Sequence, residues 1–159
     1  MLEVQAAITV GATTELIAVD QFDLQAPDTP MLGFGEGWQE PEYEPARGLS
    51  WRWASARAVL RTSTTDRDVE LQIVGESPRR YFDRPSRVMA TAGRTQLWSV
   101  EAASDFAWSF RVPRAALEAS GGTITLETDQ VFRPADRGQG ADRRELGLRI
   151  YLAALKPAS

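Results

Sequence analysis

The 159-residue chain predicts an all-β fold: two antiparallel sheets packed as a sandwich or jelly roll, with one short helical turn. Three observations carry this. Short β-favouring segments recur along the chain, separated by turn residues. Two of them alternate without ambiguity: Val69, Leu71 and Ile73 against Asp68, Glu70 and Gln72, and Phe106, Trp108, Phe110 and Val112 against Ala107, Ser109 and Arg111. A helix signal occurs once, from Pro113 to Ala119, opened by proline and closed by Gly121-Gly122.

The other elements follow in chain order. Val4 to Val10 and Glu15 to Val19 read as an N-terminal hairpin turning through Gly11-Ala12-Thr13-Thr14. The Pro-rich stretch from Pro27 to Pro45 reads as an ordered loop rather than a linker, because Met31, Leu32, Phe34, Trp38 and Tyr43 are apolar enough to pack. Leu49, Trp51 and Trp53 share one strand face, with Ser50, Arg52 and Ala54 on the other. Ala56 to Arg61 continues as a second strand or past a bulge. Arg87 to Thr91 and Thr95 to Val100 flank the turn Ala92-Gly93-Arg94. Thr123 to Glu127 places Ile124 and Leu126 inward. After a polar loop from Pro134 to Arg144, the last strand alternates Leu146, Leu148, Ile150 and Leu152 with Gly147, Arg149 and Tyr151. No repeat interrupts this order. The organisation expected is one domain over residues 1–159, with hairpin and lead-in at 1–30 and the sandwich core at 31–155.

Composition narrows the chemistry. Hydrophobic residues make up 43% and charged residues 25%, the balance of a globular chain. The net charge of -4 argues against nucleic acid, since phosphate binding needs a basic surface. No apolar run approaches the ~18 residues of a membrane span, and Met1 to Gln5 lacks the basic, apolar start of a secretory signal. The sequence contains no cysteine and no histidine. Thiolate chemistry, Ser-His-Asp hydrolysis, His-ligated zinc and imidazole acid-base catalysis are therefore excluded. Carboxylate-only chemistry such as glycoside hydrolysis survives, but nothing singles out a pair of acids.

The five tryptophans are the first binding candidates, because a sugar's C–H face stacks on an indole as other apolar groups do. A core role leads for Trp108 and for Trp51 and Trp53, which share their faces with apolar neighbours. Trp98 has no settled phase. Trp38, with Tyr43 in the same loop, is the better platform, weighed against folding back over the end of the sandwich. Glu36, Glu40, Glu42 and Glu44 offer the oxygens that calcium takes, without the spacing of a calcium loop. Solvated charge leads there; structural calcium stays open and no cofactor is expected. In the loop Ser77 to Pro85, Arg79, Arg80 and Arg84 can hydrogen-bond hydroxyls or carboxylates, and Tyr81 or Phe82 can stack. The competing reading is a crossover held by an Arg-Asp pair with Phe82 plugging the core. Asp136, Arg137, Asp142, Arg143, Arg144 and Glu145 form a mixed-charge stretch whose members pair with one another or with solvent.

The order Gly37-Trp38, Leu49 to Trp53, Val69 to Gly75, Tyr81-Phe82-Asp83-Arg84-Pro85, Asp105-Phe106, Val112-Pro113, Ile124 to Asp129, Phe132-Arg133-Pro134 and Asp142 to Arg149 resembles a known group of modules. It is similar to the galactose-binding-like jelly rolls of bacteria, in particular to accessory domains of membrane glycosyltransferases and other envelope-glycan proteins. The resemblance covers roughly residues 33–155, and its most specific piece is Asp-Arg-Arg-Glu-Leu-Gly-Leu-Arg from Asp142 to Arg149. It implies an accessory sandwich outside the cytoplasm, with no catalytic activity, that binds carbohydrate or supports a glycan-processing partner. It implies no sugar specificity and carries over no binding residue. The ligand-binding residues expected are Trp38, Tyr43, Arg79, Arg80 and Tyr81, at the loop end of the sandwich. A structural or protein-interaction domain is the alternative, and a carboxylate-only glycoside hydrolase a remote one.

Overall fold

The computed structural model describes residues 5–10, 13–18 and 29–159. An N-terminal pair, β1 (Gln5–Val10) and β2 (Thr13–Ala18), forms an antiparallel hairpin with Gln5 opposite Ala18. Val4, Gly11, Ala12, Val19 and Pro27, which the sequence assigned to this region, lie outside the described residues. Ten further strands follow: β3 (Leu32–Phe34), β4 (Glu42–Glu44), β5 (Leu49–Ala54), β6 (Arg57–Thr62), β7 (Val69–Glu76), β8 (Ser86–Ala92), β9 (Thr95–Ala102), β10 (Asp105–Val112), β11 (Thr123–Thr128) and β12 (Leu148–Pro157). Among the described residues there is one α-helix, α1 (Arg114–Ala119), which starts after Pro113, as expected.

These ten strands form two antiparallel five-stranded sheets, ordered β10-β7-β12-β5-β4 and β3-β6-β11-β8-β9. The architecture is an all-β sandwich. Its core is made by the alternating inward phases of both sheets. Val69, Leu71 and Ile73 of β7, with Leu148, Ile150 and Leu155 of β12, meet Leu60 of β6, Val88 of β8 and Ile124 and Leu126 of β11. Leu117 of α1 is fully buried in the same cluster. Along the β9–β10 side, Trp98 stacks on Phe110 at 3.8 Å and Phe106 on Trp108 at 3.7 Å, packed against the core and only partly covered. No helix among the described residues is long and apolar enough to cross a membrane.

The last strand departs from the simple alternation its sequence suggests. Against β7, Ile150 pairs with Gly75 and Leu152 with Val74, so Tyr151 is an extra residue in a bulge. The bulge inverts the phase: Leu148 and Ile150 point inward before it, Ala153 and Leu155 after it, and Leu152 faces out at 47% exposure. Gly75 makes this possible. A Cβ there would run into the Arg149 carbonyl oxygen, with Phe106 Cζ at 2.9 Å and Ile150 Cδ1 at 3.0 Å. β12 pairs with β5 only from Leu148 to Ile150, so beyond the bulge the β4–β5 hairpin is no longer laddered to it. An open depression sits beside that divergence, and the candidate site is built around it.

Ion pairs lace the outer surfaces. Asp68 accepts from the Arg111 guanidinium and the Arg114 backbone N–H at 2.8 and 2.9 Å, and Glu70 pairs with Lys156 at 3.0 Å while accepting from Ser109. The Arg114 N–H and the Arg111 bond hold the Asp68 carboxyl below its usual range; Ser109 and Lys156 do the same for Glu70. A carboxylate whose folded pKa is depressed contributes stability that is present above its unfolded pKa and lost as pH falls through the folded value. With no histidine in the chain, no side chain of ordinary pKa titrates between about pH 5 and 8. The melting temperature is therefore expected to be flat over that window and to fall below about pH 4. Thermal scans across pH test this, and a marked transition near neutrality would contradict it.

Candidate functional site

The site begins with β5. Alternation places Leu49, Trp51 and Trp53 on one face, but that face is the outer one. Ala54 is buried in the core, while Trp51 and Trp53 are half-buried on the outward phase; Trp53 packs against the satellite cluster of Phe82, Phe132 and Leu146, and Trp51 departs from the core role expected for it. The register shows why: Trp53 pairs with Arg149, and Arg149 with Glu76, all on the outward phase of the sheet. Period-two spacing groups residues by face without saying which face is buried. Arg52, on the inward phase, escapes the core because it lies at the sandwich mouth. Its guanidinium lies 4.7 Å over the Phe34 ring and donates to the Gln39 carbonyl at 3.2 Å.

Around Trp51 the outer face is closely organised. The Arg149 guanidinium lies 3.8 Å from the Trp51 ring centroid, 5.8 Å from that of Trp53 and 5.6 Å from that of Tyr151. Its Nη1 donates to Glu76 Oε1 at 3.1 Å; its Nε is buried without a hydrogen-bond partner among the described residues. The indole N–H of Trp51 donates to Glu42 Oε2 at 3.2 Å, and Glu42 Oε1 accepts from Arg144 Nη1 at 2.9 Å. Arg144 in turn forks onto Asp142, at 2.7 Å through Nη2 and 3.0 Å through Nε. Arg144 holds the Asp142 carboxyl below the usual range by its side chain and backbone N–H, and Asp142 with Glu42 raises the Arg144 guanidinium in return. The indole is thus backed by one cation and tethered at its edge by a carboxylate that is itself held.

Trp51 also lines an open depression of about 460 Å3, together with Phe34, Pro41, Arg52, Tyr151 and Leu152. A second depression of about 550 Å3, with Arg47, Leu49, Glu76 and Asp105 at its walls, adjoins it and shares Tyr151. Burial pushes the Tyr151 phenol up; Arg149 opposes this, and the carboxylates of Glu76 and Asp105 add to it. A hydrogen bond with Glu76 acts in the same direction, so the phenol is already oriented toward that carboxylate.

Comparison with known proteins gives no family. No family model, curated protein or solved structure matches this chain. Its chemistry has to be read from the geometry.

The residues expected from sequence fall in three places. Trp38 is a structural rivet: its indole N–H donates to the Val59 carbonyl at 2.9 Å, it meets Phe34 edge-on at 5.0 Å, and it packs against the core. Tyr43 sits on β4 opposite Ser50, 63% exposed. Arg79, Arg80 and Tyr81 form a 3-10 turn at the loop end. There Arg79 Nη1 donates to the Phe82 carbonyl at 3.0 Å. Tyr81 stacks on Phe132 at 3.9 Å, lies under the Arg80 guanidinium at 4.7 Å, and donates to Gln139 Oε1 at 2.7 Å. Its ring is already engaged by the protein. Phe82 is buried with Phe132 and Leu146, and Arg84 pairs with Asp129 at 2.8 Å, so this loop follows the crossover reading.

The acidic loop is likewise committed. Glu36, Glu42 and Glu44 pair with Arg61, Arg144 and Arg47 respectively. Among the described residues, no three His, Cys, Asp or Glu side chains come together as they would around a metal ion. Sequence reasoning missed Arg149, Glu76 and Tyr151 because each looks like the wet phase of an ordinary strand. The available signal was Arg149 and Tyr151 flanking a strand that also had to meet a doubly tryptophan-bearing neighbour.

Proposed function

We propose that this domain is a non-catalytic module that binds carbohydrate at the sandwich mouth, where β5 and β12 diverge opposite Phe34 of the other sheet. Trp51 is the stacking platform, and Arg52 and Tyr151 are hydroxyl partners. The observation that carries the reading is the state of Trp51: half-buried, backed by Arg149, anchored through its N–H to Glu42, and lining an open depression. A ring immobilised in this way needs little ordering when a ligand lands on it, and an apolar C–H face over an indole with polar groups at the rim suits a sugar. The reading also draws on the resemblance noted from the sequence, which implies a carbohydrate-binding accessory sandwich. The proposed face differs from the loop end expected there, because Trp38 and Tyr81 are occupied by structural contacts.

A second reading, a protein-interaction face, is favoured by the exposure of Phe34, Tyr43 and Leu152 near the same mouth at 39%, 63% and 47%. Glycan-array screening of the domain, then calorimetry on the hits, separates the two. Trp51→Ala is expected to weaken any hit by at least about tenfold, and Tyr81→Ala by less than about twofold. A blank array, or a hit indifferent to Trp51→Ala, moves the assignment away from this face. Glu76 and Asp105 are direct cross-strand neighbours and act here as hydroxyl acceptors, so a bound oligosaccharide should be recovered intact after long incubation.

A further inference from the structure

Resting on that reading, we infer that the ligand is a chain of at least two sugar units, and that Tyr151 is the ridge over which it runs. The bulge carries the argument. An unbulged β12 would keep its two-residue phase, and the sheet would present one continuous row of side chains to solvent. Instead Tyr151 is the extra residue between Ile150 and Leu152, and its ring borders both depressions. On one side lie Trp51, Phe34 and Leu152, with Ser50 and Arg52 beside them. On the other lie Leu49, Val74 and Phe106, with the carboxylates of Glu76 and Asp105 at the rim.

Leu49 and Trp51 lie two residues apart on β5, about 7 Å along the strand, and each depression takes one of them, with Tyr151 common to both, so the two adjoin. Volumes of about 460 and 550 Å3 each leave room for one sugar ring. One ring stacks on Trp51. The next lies over Leu49 and gives its hydroxyl protons to Glu76 and Asp105. Of these carboxylates, Glu76 is oriented by Arg149, while Asp105 makes no ion pair among the described residues and keeps its acceptor lone pairs for a ligand. Tyr151, whose phenol is hydrogen-bonded to Glu76, borders both depressions and accepts from a hydroxyl at the linkage region between the rings.

The test is a length series read by calorimetry: glucose and N-acetylglucosamine, and their α- and β-1,4-linked oligomers of two to six units. Affinity is expected to step up by at least about tenfold from one unit to two, then to change by less than about threefold with further length. Asp105→Asn is expected to shrink that step to less than about threefold, and Tyr151→Phe to lower oligomer affinity without altering the melting temperature. An affinity that is the same for the single sugar and the hexamer overturns the two-unit site while leaving carbohydrate binding in place. A step that survives Asp105→Asn overturns the placement of the second unit. If no member of either series binds, the carbohydrate reading itself fails with it.

Discussion

Replacing Gly37 by alanine is expected to lower the unfolding free energy by about 3–4 kcal/mol, a fall of about 10 °C in melting temperature. The residue sits at φ +81°, a conformation costly for any residue with a Cβ. The added methyl would also strike backbone rather than a side chain that could swing away. It lands on the Arg57 carbonyl oxygen, with Arg57 C at 2.8 Å and Ala58 Cα at 2.9 Å. Those atoms belong to β6, a central strand of its sheet, so the loop must move instead. That loop joins the sheets. Gly35 N–H donates to Val59 O and Val59 N–H to Glu36 O on one side, while Ser55 N–H donates to Gly37 O and Gln39 N–H to Trp53 O on the other. Displacing Gly37 strains all four bonds and pulls Trp38 from its place against the core. Urea denaturation measures the effect. A loss below about 1 kcal/mol would mean that the corner yields easily and that this account of it is wrong.

The second large effect is expected at Phe132. Phe132→Ala should cost about 3–5 kcal/mol, the range for truncating a buried aromatic side chain. The ring is 6% exposed and is the hub of a satellite cluster. Tyr81 stacks on it at 3.9 Å, Trp53 meets it at 5.9 Å and Phe82 at 6.3 Å, while its backbone pairs in both directions with Leu146. Its removal frees the 3-10 turn at Arg79–Tyr81 and unseats Trp53 on the outer sheet face. Near-UV circular dichroism should therefore change together with the denaturation midpoint. Tyr81→Ala, which removes only the outer layer of the stack, should cost less than half as much. Equal costs for the two would show that the cluster is held from its rim rather than from Phe132.

Both effects bear on the candidate site. Trp53 lies between the Phe132 cluster and Arg149, and Arg149 backs Trp51. The Trp51 ring is thus held from two directions: through Arg149 and Glu76 along the sheet, and through Glu42, Arg144 and Asp142 from the loop before β12. This is also why an arginine so far inside an aromatic patch is tolerated. Its charge is paired with Glu76 and spread over ring faces rather than desolvated alone.

What the sequence determined by itself was the kind of element and the grouping of side chains within it. The alternation in Val69–Glu76 and Asp105–Val112 named the inward residues correctly, because one phase there is wholly apolar and only one burial assignment is affordable in water. The hairpin at Gly93-Arg94 and the helical turn after Pro113 were legible for local reasons, turn geometry and a fixed proline φ, whereas the Arg-Asp pair of the crossover closes on Asp129, 45 residues from Arg84. The absence of histidine and cysteine bounded the chemistry before any fold was known. Tertiary structure decided the rest. Leu49, Trp51 and Trp53 alternate with Ser50, Arg52 and Ala54, and both phases are compatible with burial. Only pairing with Arg149 and Glu76 across three strands turns the tryptophans outward. The bulge at Tyr151 is invisible in a strand whose alternation looks unbroken, since it arises from the fit of β12 against Gly75 on a strand more than seventy residues earlier. Residues whose role is set by a partner distant in sequence cannot be read from their neighbours, and the candidate site is made of such residues.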